Sequence, residues 1–138
     1  MLQVLDKDNL EKKLNTLITL IDSTIKDLPV QNIKIYEAEN LAVKMLQLHQ
    51  EIARMLLQLE INYIQYKSTT ECVFQSVIET LEEKTITEKK MKASVSIDYI
   101  REREGLEGIE ARVSYLKVCM KIAENSHIFY RQVYSKGE

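Results

Sequence analysis

No proline or glycine occurs between Pro29 and Gly105. This gap constrains the fold more than any other feature, because tight β-turns depend on those residues. Within it, Ala38, Ala42, Met45, His49, Ile52, Leu56, Leu59, Tyr63 and Tyr66 recur at alternating steps of four and three. That spacing places all nine on one stripe of a helix and continues for about four heptads. Leu41, Leu46, Leu48, Met55 and Leu57 widen the apolar face beyond a two-stranded seam. The pattern thins at Lys67-Ser68-Thr69-Thr70 and resumes with Val73, Val77, Ile78 and Leu81. Two readings stay open, one very long helix or two joined softly near residues 67–71.

The flanking segments follow the same logic. Leu10, Leu14, Leu17, Ile21, Thr24 and Leu28 form a heptad seam with Thr24 as its one polar member. Asp8 with Glu11 fits a capping box at its start, and Pro29 closes it. Thr85 and Glu88 form a second capping box, and Ser96 or Asp98 suits the next helix start. Ala93, Val95, Ile97 and Tyr99 alternate with polar residues, a strand-like period too short to displace a helix. Leu106, Ile109, Val113, Leu116, Met120, Ala123, His127, Tyr130 and Tyr134 then step by three and four again. Gly105 and Gly108 near the start of that run mark a kink or a close helix approach.

The expected fold is therefore all-α. It is a long-helix bundle with coiled-coil-like heptad seams, one helical domain over residues 1–138, with helices at about 8–28, 33–82, 86–95 and 98–134. A helix of 35–50 residues is roughly 50–75 Å long. A compact domain of this size has a radius of gyration of about 14 Å. Helices that long overhang a monomeric bundle, so the expectation is an oligomer whose subunits cover one another's seams.

Composition narrows the function. The net charge of -2 argues against a generally basic nucleic-acid binder, although a local patch is compatible with it. Cys72 and Cys119 form no metal-type cluster and read as reduced, small hydrophobes of a cytoplasmic protein. Met1 to Asp8 has neither the basic region nor the apolar core of a signal peptide. No apolar run approaches the roughly 20 residues of a membrane span.

Catalytic signals are weak. The sequence holds no glycine-rich phosphate loop, no Cys-x-x-Cys and no Gly-x-Ser-x-Gly, so the reading is not an enzyme and needs no cofactor. Glu124 and His127 form a Glu-x-x-His pair of the kind di-iron bundles use. A second pair is lacking, because Leu46 stands where a Glu would precede His49. Both histidines read instead as seam residues that fix register. Lys84, Lys89, Lys90 and Lys92 crowd into nine residues and are the best local phosphate contacts. Tyr63, Tyr66, Tyr99, Tyr115, Tyr130 and Phe129 are able to stack on bases, but most lie on core seams.

Three stretches carry a family resemblance. They are Tyr36-Glu37-Ala38-Glu39-Asn40 with Leu46-Gln47-Leu48-His49-Gln50-Glu51-Ile52, then Met91-Lys92 followed by Ser96 and Asp98, then Val113-Ser114-Tyr115-Leu116-Lys117-Val118-Cys119-Met120. Together they resemble the UvsY-like recombination mediators of tailed phages and span most of residues 36–130. The resemblance implies a small helical oligomer that binds single-stranded DNA cooperatively as a ring. It also implies work beside a recombinase and a single-strand-binding protein, in the host cytoplasm if the chain is phage-encoded. Two features depart from the family. Its Lys-x-Arg element has only Lys67 here, with Thr69 at the Arg position, and the stretch from Asp98 to Tyr115 is several residues longer.

The resulting expectation is an oligomeric single-strand DNA binder with Lys67, Lys84, Lys89, Lys90 and Lys92 at the DNA, and Arg101 and Arg103 as a second tier. The alternative is a non-enzymatic scaffold or inhibitor that binds a protein partner.

Overall fold

A computed structural model describes residues 6–82 and 85–137. Among the described residues four α-helices follow one another, α1 (Lys7–Ile25), α2 (Ile35–Thr80), α3 (Ile86–Ser94) and α4 (Ile97–Gly137). No strand occurs among the described residues, and the all-α expectation holds. The alternating run 93–99 is split between the end of α3, a turn and the start of α4.

Helix ends are set by local hydrogen bonds. The cap of α1 is Asp6, two residues before the expected Asp8; its Oδ1 accepts the Asn9 N–H at 2.9 Å and its Oδ2 accepts from Asn9 Nδ2 at 3.0 Å. Asp8 instead lies in the first turn, where its charge suits the helix dipole. The helix stops at Ile25, three residues short of the expected Leu28. Asn32 turns the chain toward α2 with φ of 55°, a left-handed conformation that Asn tolerates better than most residues. Thr85 caps α3 by accepting the Glu88 N–H at 3.2 Å, as the capping-box pattern predicts. Of the two cap candidates for α4, Ser96 accepts the Tyr99 N–H at 3.2 Å.

The long segment is one helix. α2 runs unbroken through Lys67-Ser68-Thr69-Thr70. Thr69 and Thr70 donate their hydroxyls to the carbonyls of Gln65 and Tyr66, at 3.1 and 2.8 Å. These bonds satisfy the polar groups inside the helix, so the weak stretch of the seam needs no joint.

Packing divides the chain into two units, residues 1–58 with 114–138 and residues 59–113. In the first, the seams close on one another. Leu10, Leu14, Leu17, Ile21 and Thr24 of α1 are buried, as are Met45 and Ile52 of α2 and Leu116 and Ala123 of α4. Tyr130 is buried against Ala42 and Met45, and its hydroxyl donates to the Pro29 carbonyl at 2.7 Å. That bond ties the α1–α2 connection to α4. In the second unit, Leu59, Thr70, Ala93 and Ile109 are the buried residues among those described. There the Phe74 and Tyr99 rings pack at 4.7 Å, and Tyr63 donates to Glu110 at 3.1 Å.

Gly105 of α4 lies against the Tyr66 side chain of α2 in this second unit. A Cβ there would overlap the Tyr66 ring, with Cζ at 2.7 Å and the hydroxyl nearer still. Gly108 faces open space. Of the two glycines, only Gly105 records a close approach.

Candidate nucleic-acid interface

The described cationic candidates all belong to the unit of residues 59–113. Lys67 is exposed on α2. On α3, Lys90 and Lys92 are exposed and Lys89 is half-buried. Helical spacing makes Lys89 and Lys92 neighbours on α3, with Lys92 turned further toward solvent, and sets Lys90 on the far side of the helix from Lys92. Arg101 and Arg103 are exposed near the start of α4, but two residues apart they point to opposite sides of it. Arg103 Nε is also engaged by Glu107 at 3.3 Å. Lys84 lies outside the described residues.

The clustering is therefore local. The unit carries eleven carboxylate side chains against eight cationic ones, so it presents no general positive field. On α3 itself Glu88 is the one acidic residue beside three lysines. That helix is the cationic focus, and the arginines of α4 are diluted by Glu102, Glu104 and Glu107.

The aromatic candidates are mostly committed to packing. Tyr63 and Tyr66 are half-buried. The hydrogen bond to Glu110 raises the Tyr63 phenol above its ordinary range. Partial burial, then the Glu102 charge, does the same for Tyr66. Tyr99 is engaged by Phe74, and burial raises the pKa of Tyr130. Tyr115 and Phe129 keep exposed faces, but they belong to the other unit. Tyr115 is pushed up to about 12, by its hydrogen bond with Cys119 first, then burial and the Asp22 carboxylate.

The histidines sit differently from a metal pair. His127 is half-buried and its Nδ1–H donates to the Ala42 carbonyl at 2.8 Å, which ties α4 to α2. His49 is likewise half-buried. Glu124 pairs with Lys121 at 3.6 Å. Among the described residues, no group of three or more His, Cys, Asp and Glu side chains is placed to hold a metal ion. No helix among them is long and apolar enough to cross a membrane. A groove of about 410 Å³ between α1 and α2 is lined by Leu20, Thr24, Lys44, Gln47, Leu48, Gln50 and Glu51, which supply no nucleophile with a neighbouring base.

Sequence reasoning did not separate the buried part of the widened apolar faces from the part that stays exposed. On α2, Val43, Leu46 and Leu57 are exposed in step with Gln50 and Ala53. On α4, Tyr115, Val118, Ile122 and Phe129 are exposed in step with Asn125. Both follow the three-four spacing, offset from the buried seams. The signal was present in the sequence as the widened apolar face, but only packing shows which side is left uncovered. Comparison with known proteins finds no family model, no curated protein and no solved structure that matches this chain.

Proposed function

We propose that this protein is a non-enzymatic, self-assembling single-stranded DNA binder of the recombination-mediator type. The observation that carries the reading is α3, a helix of 9 residues that holds Lys89, Lys90 and Lys92 with one carboxylate. Cations at this density neutralise a phosphate backbone without reading its sequence. The resemblance to UvsY-like mediators supplies the task, assisting a recombinase on DNA held by a single-strand-binding protein, in the cytoplasm of a host cell.

Assembly is supported by the exposed stripes at 43–57 and 115–129. Each extends about 20 Å along its helix, and apolar side chains at three-four spacing match the contact surface of a packed helix pair. The same stripes favour a second reading, a helical scaffold or inhibitor whose partner is another protein. Salt dependence separates the two. A fluorescent oligothymidylate titrated with the protein should bind at low salt and release as salt rises. Changing Lys89, Lys90 and Lys92 to Ala should flatten the plot of log K against log salt by about 2, at about 0.7 per lost phosphate contact. Absence of any single-strand affinity at low salt rejects the DNA reading and leaves the protein-binding one.

A further inference from the structure

The phosphate-binding reading uses the lysines of α3 and leaves the aliphatic side chains on and just after that helix unexplained. Ile86, Met91, Val95 and Ile97 are 67–73% exposed, among the most exposed apolar residues described in the chain. Ala93 is fully buried and Lys89 half-buried, which defines the inner side of the helix. Met91 and Val95, the residue that caps the end of α3, are both turned to solvent and make up the outer ridge. Lys90 and Lys92, one residue to either side of Met91, flank that ridge.

We propose that this ridge is a docking surface for an acidic segment of a partner protein that carries aliphatic side chains. Charge complementarity selects the occupant. A partner chain with carboxylates spaced around a leucine or isoleucine places apolar atoms on Met91 and Val95 and its charges near Lys90 and Lys92. Nucleic acid fits the lysines but not the ridge, because Met, Val and Ile offer no aromatic face on which a base stacks. A second copy docked symmetrically through the same ridge would oppose lysine to lysine, which like-charge repulsion disfavours. The inference does not rest on the DNA reading, since the lysines are shared between the two and the aliphatic ridge is not.

The test uses the full chain and a short fluorescent peptide that alternates aspartate with leucine. Its companions are an aspartate–serine peptide, an oligothymidylate and vesicles of phosphatidylserine with phosphatidylcholine. The aspartate–leucine peptide should bind, and the aspartate–serine peptide should bind about tenfold more weakly or worse. Met91→Gln with Val95→Thr should weaken the peptide by about tenfold while leaving the oligothymidylate unchanged. Lys90→Glu with Lys92→Glu should weaken the peptide as well. These exposed positions tolerate polar residues, and circular dichroism checks that each variant keeps its helix content. No binding of the aspartate–leucine peptide, equal binding of the two peptides, or vesicle binding lost in the same ridge variants overturns the proposal. Absence of oligothymidylate binding by the unmodified chain, with the aspartate–leucine peptide still bound, would reject the DNA reading and leave this one standing.

Discussion

At the scale of single residues, the two helical glycines of α4 give opposite expectations. Gly108 faces open space, so Gly108→Ala should stabilise the protein by about 1 kcal/mol through helix propensity. Gly105→Ala places a methyl group on the Tyr66 ring and should instead destabilise it by about 1–3 kcal/mol, the usual cost of overpacking. Urea denaturation of both variants measures the difference, and Tyr66→Ala combined with Gly105→Ala should recover part of the loss. From the sequence, both glycines were equally able to mark a close approach. Only the position of Tyr66 across the unit separates them, and spacing along one helix carries no such information.

The tyrosines set a pH dependence at the same scale. Tyr63, Tyr66, Tyr115 and Tyr130 all have raised pKa values, which means their surroundings favour the neutral phenol. A group raised in this way contributes stability that is complete below its unfolded value of about 10. That contribution is lost as pH climbs through the folded value, about 12 for Tyr115. Absorbance titration of the folded protein should show part of the tyrosinate signal displaced above pH 10. The same titration in denaturant should collapse to a single transition near 10. A folded curve identical to the denatured one would contradict the assigned contacts to Glu110, Glu102, Cys119 and Asp22.

At the scale of elements, the long helix tests how far local chemistry overrides pattern. The seam of α2 fades at Lys67-Ser68-Thr69-Thr70, yet the helix continues. The threonine hydroxyls bond back to the preceding turn, and Thr70 is buried. Ser68→Pro should therefore cost about 3 kcal/mol or more, because it removes a backbone hydrogen bond inside a continuous helix. A chain with a natural joint there would accept proline with little change in its urea midpoint. Element type was legible because the three-four period persists over many turns. Element ends were less so. Asp6 and Asp8 are equivalent as letters, and Asn9, which bonds twice to Asp6, decides between them. The α1 seam extends to Leu28 by spacing, but the helix ends at Ile25.

At the scale of the whole molecule, the seams and the need for a partner come apart. The heptad positions 38–56 and 116–130 are largely covered by the chain's own helices. Among the apolar residues that remain exposed are the offset pair of stripes at 43–57 and 115–129 and the ridge of Met91 and Val95. The expectation of assembly thus moves from the seams to these surfaces. The candidate DNA contacts were legible as a lysine group. Which of them faces inward follows from packing, with Ala93 buried and Lys89 half-buried, and spacing along one helix does not carry that information. Light scattering on the eluting protein, with and without a labelled oligothymidylate, tests the central claim most directly. The account expects a particle several times the 16.1 kDa chain mass that takes up the oligonucleotide at low salt. A 16.1 kDa species from which the oligonucleotide elutes separately would contradict it.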